Sequence, residues 1–448
     1  MLSTEGELET EWLQAAGLGS LAAPFQAGLE VTEAQLGEAV RPLPREQAAA
    51  VRRRVRRLNR TVRKRRAASR ARKPDIRDVD SYPADTHSPV ARTPSAPASR
   101  RVRLSPPAPA LHSPPRAVHE LFKPNDLHWA DIASNTVSRT KSAVATPQPL
   151  SFEHKFNLDR QMLNNDEDWP EADSTVDIES VGESQLKKLT PLLWLQLTAL
   201  FDKYSLPFHK RKSPKKKRKE EGAVFGVALE TLLRKDMILW EETWSSVPAI
   251  LRTISSSLRT KTMDEGLLRV PGNKHKLIER HWYSDRSDVE AALARASGHD
   301  LAAVFKRLLR SLPQPPLTQE LMRLFYQTYS LSGSTQGLAL NLLVLLLPAE
   351  QRATLREVLR LVAAITEHSH ANKMSDHNVA MIIAPALFPP SLLIKSSDSL
   401  ETQLATAANS CHVTEALMRW SDQLWKVPAS LLAAAQRKPH QLRRNNHT

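Results

Sequence analysis

Glycine is scarce in this chain of 448 residues: 13 positions, about 3%, against the roughly 7% of an average protein. So few glycines argue against turn-dense β architectures and against repeated phosphate-cradling loops. A single cysteine, Cys411, excludes an intrachain disulfide and any multi-cysteine zinc site. No apolar run approaches the roughly 20 residues that span a bilayer as a helix. The acidic opening MLSTEGELETEW lacks the basic and apolar regions of a signal peptide. The expectation is a soluble, cytoplasmic protein. The sequence also lacks a nucleotide-binding loop, a Ser-His-Asp pattern and a paired-carboxylate site. His368, His370 and His377 have no fourth ligand at metal-site spacing, so no metal is expected.

Charge is abundant but local. The formal net charge is +15, yet 51–73 alone holds 13 Lys/Arg and no acid, and 210–219 (KRKSPKKKRK) holds eight more. Those 21 cations exceed the net charge, so the rest of the chain is acidic by about six. The two runs point to an anionic membrane or an acidic partner, and 210–219 also reads as a nuclear-import signal, which would add a nuclear or membrane-associated pool. A solvated linker is the plainer explanation of 210–219. Nucleic acid is the weakest partner, because neither run carries the interleaved aromatics of a stacking platform.

Pattern and composition divide the chain into five parts. Residues 1–66 read as a helical, basic segment without a compact core. Within it Val51, Val55, Leu58 and Val62 form a narrow apolar stripe that suits a short coiled-coil seam, a membrane-surface helix or a partner-induced helix. Residues 67–175 are rich in proline and serine and poor in apolar residues, so they are expected to be disordered. Their Ser-Pro steps are candidate phosphorylation sites, although a linker needs no such explanation. Residues 176–221 hold one helix that needs a surface, with Leu189, Leu192, Leu193, Trp194, Leu197 and Leu200 at mostly helical spacing, followed by the basic linker. Residues 222–427 carry repeated 3.6-residue periodicity and no sustained alternation, which predicts an all-α domain. Residues 428–448 read as a loose basic tail.

Three segments of the all-α domain carry chemistry. In TMDEGLLRVPG, Arg269 stands in a short apolar stretch between Gly266 and Gly272, two residues that let a loop bend and let backbone approach closely. In VFKRLLRSLPQPPLT, Lys306 and Arg310 lie four apart on one helix face, where like charges repel. In NKMSDHNVAMIIAPALF, Asn378 enters a buried helix that Pro385 is expected to end.

In this order and at these separations the three segments resemble the Rho-family GTPase-activating protein (RhoGAP) domain, over about 225–427. The helix at 183–207 and the basic N-terminal helix resemble the subgroup containing Rho GTPase-activating proteins 28 and 40. The resemblance implies a helical fold and a Rho-type GTPase in its GTP-bound form as partner. It further implies conversion of that GTPase to the inactive GDP state through Arg269 supplied in trans. No cofactor belongs to the chain itself: GTP and Mg²⁺ are held by the GTPase, so the chain is not an enzyme alone. Lys306 and Arg310 fall on the family's paired basic positions, with Arg310 holding the finger loop and Lys306 meeting the GTPase or the loop. Asn378 matches a polar residue that meets the GTPase or the finger backbone, though its surroundings also suit a helix cap. Pro385 matches the proline beside the GTPase-facing groove. One departure is Ala386-Leu387, where the family usually has Asn-Leu; PQPPLT is a milder one. The departure at Ala386 supports an alternative, a scaffold that binds the GTPase without activating it. The subgroup implies RhoA-like substrates and actin regulation.

Overall fold

The computed structural model describes residues 4–71, 174–208, 223–241, 245–272, 282–283 and 286–436. The basic run 210–219, nearly all of the expected linker 67–175 and the chain from 437 onward lie outside these residues. Helix dominates what is described, as the periodicity predicts.

Four helices open the chain: α1 (Thr4–Ala15), α2 (Gly19–Gln26), α3 (Glu33–Val40) and α4 (Arg45–Ala71). A reciprocal capping box between Thr32 and Gln35 starts α3. Contrary to the sequence expectation for 1–66, they enclose a core. The stripe Val51, Val55, Leu58 and Val62 is buried against Trp12, Leu13, Leu21, Phe25, Leu36 and Val40. The partner of the stripe is therefore the chain's own first three helices. The Asn59 side chain joins them by a two-way bridge, donating to the Val31 carbonyl and accepting its N–H, both at 2.9 Å.

Residues Thr175–Asp177 (β1) precede α5 (Glu183–Lys203), the helix that sequence leaves in need of a surface. It finds two. Leu195 enters the N-terminal core, while Leu189, Leu193, Leu197 and Phe201 enter the larger one. Each such leucine is worth roughly 1.5–3 kcal/mol when fully buried. The indole Nε1 of Trp12 donates to Thr198 Oγ1 at 2.8 Å across the junction.

The larger core is built by α6 (Leu229–Trp240), α7 (Ala249–Arg259), α8 (Arg286–Arg295), α9 (Gly298–Ser311), α10 (Met322–Gln327), α11 (Gly333–Leu345), α12 (Ala349–Glu367), the single turn α13 (Ser369–Asn372), α14 (Asp376–Leu387), the single turn α15 (Pro390–Leu393) and α16 (Leu400–Arg419). In α7 the buried residues Ile250, Leu251, Ile254 and Leu258 follow the helical period, and they pack on α9 and α12. Chain closure comes from β2 (Lys426–Pro428), antiparallel to β1 with Val176 opposite Val427. Arg356 grips the Asp177 carboxylate with both terminal nitrogens, at 3.1 and 2.6 Å.

Two further expectations change. Pro385 does not end its helix: it is buried inside α14, which runs on to Leu387. The fold absorbs the loss of one backbone donor there because the surrounding turns are packed in the core. Nor is the chain loose from Pro428, since Ala429–Gln436 form α17, which packs on α5 through Leu431 and Leu432. Among the described residues, no helix is long and apolar enough to cross a membrane.

Candidate functional site

The loop from Thr260 to Gly272 leaves the C-terminal end of α7 and carries Arg269 at its outer turn. Its shape follows from tight local hydrogen bonds. The Arg269 and Val270 amides both donate to the Gly266 carbonyl, each at 2.9 Å, and the Leu267 amide donates to Asp264 O at 3.1 Å. Gly266 has φ +69° and Leu268 has φ +72°. The first is ordinary for glycine; the second is a costly left-handed conformation for a leucine, held in place by its surroundings. Leu267 and Leu268 are both fully buried, so the loop is anchored by the two side chains preceding the arginine.

Above that anchor the surface is open. Arg269 is exposed, flanked by exposed Met263 and Val270. Among the described residues its guanidinium makes no hydrogen bond or ion pair.

Two groups clamp the loop from below. Lys306, in α9, is buried, and its ammonium donates to the Leu268 carbonyl. Burial first, and the nearby charge of Arg310 second, push the Lys306 pKa down to about 8. Arg310, one turn on, donates from Nε to the Lys306 carbonyl at 3.3 Å. Desolvation lowers its pKa too, although a guanidinium remains charged.

The second clamp is Asn372, which sequence reasoning did not single out. It is fully buried, and its carbonyl accepts the Gly266 amide at 2.7 Å. Its Nδ2 donates to the carbonyls of Thr262 and Ile365, both at 2.7 Å, and its Oδ1 accepts the Met374 amide at 2.8 Å. One side chain thus ties the loop to the end of α12 and the entry to α14. The available signal was its place at the head of NKM, but its partner Thr262 lies 110 positions away.

Glycines make the packing feasible. A Cβ on Gly272 would collide with the backbone of His299 and Asp300, reaching 2.6 Å from the Asp300 Cα. Gly298 plays the same part from the opposite side: a Cβ there would strike the Asp264 carboxylate and come within 3.1 Å of Leu267 Cδ1.

The remaining predicted residues lie in α14. Ser375 caps α14 by accepting the Asn378 amide at 3.3 Å, and the Asn378 amide side chain donates to Lys373 O at 3.2 Å. Asn378 is therefore third in its helix and braces the left-handed Lys373 (φ +60°). Pro385 is buried, and Ala386 is 3% exposed within the larger core. His377 Nδ1 meets Glu415 Oε1 at 2.8 Å, and no group of three His, Cys, Asp or Glu side chains among the described residues is placed to hold a metal ion.

Comparison with known proteins bears directly on this site. Residues 248–392, which contain the loop and both clamps, match the RhoGAP domain model. Residues 2–66 match the Rho GTPase-activating protein 18-like N-terminal SAM domain. The chain is 32% identical to the Drosophila melanogaster Rho GTPase-activating protein conundrum, across 97% of this chain and 86% of that protein. The chain belongs to the Rho GTPase-activating protein family. Two members from Mus musculus, Rho GTPase-activating proteins 18 and 40, are each 30% identical across 97% of this chain. The chain spans 65% and 63% of their respective lengths. The N-terminal four-helix unit is thus a family feature too, of which the sequence pattern conveyed only the basic helix.

Proposed function

We propose that this chain accelerates GTP hydrolysis by a Rho-type small GTPase in its GTP-bound form, returning it to the GDP-bound state, with Arg269 entering the partner's active site. The observation carrying this reading is a contrast within one loop: an exposed guanidinium, unpaired among the described residues, above a backbone clamped by Lys306 and Asn372. A transferring phosphoryl group accumulates charge on its oxygens, and an arginine supplied in trans is worth roughly 10³–10⁵ in rate. At about 1.36 kcal/mol per decade, that is about 4–7 kcal/mol. Pre-positioning matters because such stabilisation costs no reorganisation at the moment of reaction. The exposed Met263 and Val270 offer apolar contact beside the finger. GTP, Mg²⁺ and the attacking water come from the GTPase, so the chain supplies half an active site.

A second reading, a scaffold that binds without activating, rests on Ala386. Its methyl group sits in the larger core, where the family's usual asparagine would place an amide. Single-turnover hydrolysis by Rho-, Rac- and Cdc42-type proteins decides between the two. Acceleration of at least one supports the proposal; tight binding to the GTP-loaded form at an unchanged rate supports the scaffold.

A further inference from the structure

The 27-residue helix α4 is the most basic element described, and the structure sorts its cations between 52 and 66 into two sets. One set is used internally. Arg54 is buried between Glu9 and Asp202, Arg53 also pairs with Asp202, Arg57 with Glu9 and Arg63 with Glu30. Arg65 lies over the Phe25 ring and Arg66 donates to the Gly28 carbonyl at 3.0 Å. The other set is Arg52, Arg56, Arg60 and Lys64. All four are exposed and make no hydrogen bond or ion pair with any described residue.

Their spacing is four throughout, so they form one row about 18 Å long at roughly 1.5 Å per residue. The row lies roughly opposite the buried Val51, Val55, Leu58 and Val62, whose face is covered by α1, α2 and α3. After Glu46 the helix contains no acid. Four neighbouring cations with no partner among the described residues, on the outer face of a helix anchored to the folded body through Asp202 of α5, form a positive ridge.

We infer that this row is a docking surface for an anionic lipid bilayer, holding the folded body against the membrane through charge. A bilayer fits better than the alternatives. The row turns by about 40° per step, so its cations spread over about 120° of the outer face, which suits the many dispersed headgroups of a lipid surface. It holds no apolar or aromatic side chain, so it neither inserts as an amphipathic helix nor stacks on bases. Between 52 and 66, six arginines serve the fold and four cations face outward.

The test uses the full chain and sedimentation with vesicles of neutral phosphatidylcholine, alone or mixed with phosphatidylserine and phosphatidylinositol bisphosphate. The wild-type chain is expected to partition onto the acidic vesicles only, and less at higher salt. The variant Arg52→Gln/Arg56→Gln/Arg60→Gln/Lys64→Gln is expected to bind on the order of 10²–10³-fold more weakly. It should keep the wild-type melting temperature, since none of the four has a partner among the described residues. Replacing the three arginines by lysine should retain binding within about threefold, because the attraction counts charge. No binding by the wild type, or equal binding by the glutamine variant, would overturn the proposal. So would dependence on 210–219 instead, or binding of duplex RNA or an acidic peptide through the same four residues without vesicle binding.

Discussion

Arg54 and Arg269 show two opposite uses of one side chain. Arg54, in the N-terminal unit, is 2% exposed, lies 4.5 Å over the Trp12 ring and is paired with Glu9 and Asp202 at 3.5 and 3.0 Å. Desolvation is the largest influence on its pKa and lowers it, with Asp202 and then Glu9 opposing. Its guanidinium is consumed in joining α1, α4 and α5. Arg269 makes no hydrogen bond or ion pair among the described residues, and the structure around it fixes its backbone. Where an arginine's charge is already neutralised, it serves the fold; where only its backbone is held, the charge is left for something else.

Substitutions sharpen that contrast. Arg269→Ala is expected to lower the stimulated rate of GTP hydrolysis 10³–10⁵-fold while shifting stability by less than about 0.5 kcal/mol. A single-turnover assay beside a denaturation curve reads both. Arg54→Ala reverses the pattern. Removing a buried cation leaves Glu9 and Asp202 with only the exposed Arg57 and Arg53 and costs up to about 3–5 kcal/mol in denaturant unfolding, with acceleration retained wherever the protein remains folded. A cost below 1 kcal/mol would show that Arg54 is not the joint described.

Asn372→Ala lies between the two. It leaves two carbonyls and one amide without their partner, costing about 2–4 kcal/mol. With the Asn372 side chain no longer tied to Thr262, acceleration should fall at least tenfold, with GTPase affinity changed much less. Gly272→Ala should destabilise by about 1–3 kcal/mol, because the backbone of His299 and Asp300 must move.

The smallest effect concerns Lys306. Its pKa is depressed to about 8 from an ordinary 10.5, so the unfolded chain binds more protons between those values. This group's contribution to stability therefore rises with pH across that window. The charge supporting the loop is lost over the same window, so the ratio of stimulated to intrinsic hydrolysis should fall a few-fold above pH 8 without a matching loss of stability from this group. Lys306→Met, which cannot titrate, should flatten that ratio; an unchanged profile would separate the charge from loop support.

Much of the GAP-type domain was legible in sequence, because its signals are local. Helical periodicity marks α7, α9 and α12, and three short motifs mark Arg269, Lys306, Arg310 and Asn378. The clamp at Asn372 was not legible, since a buried asparagine is recognised by its partners and Thr262 is distant in sequence. The same holds for Gly298, whose role exists only where α9 meets the loop. In the N-terminal unit the apolar residues of α1, α2 and α3 are split among short helices, so the Val51–Val62 stripe appeared to lack a partner. Arg54 was one cation among the thirteen of 51–73; only Glu9 and Asp202, 45 positions before it and 148 after it, set it apart.

The central claim is that Arg269 acts on the transition state and not on ground-state binding. It is tested most directly by affinity for a Rho-type GTPase carrying either a non-hydrolysable GTP analogue or GDP with aluminium fluoride, whose planar fluoride resembles the transferring phosphoryl group. The wild-type chain is predicted to bind the fluoride state at least 10²-fold more tightly. Arg269→Ala is predicted to bind the GTP-analogue state within about tenfold of wild type while losing that preference. An Arg269→Ala chain that keeps the full preference would contradict the claim.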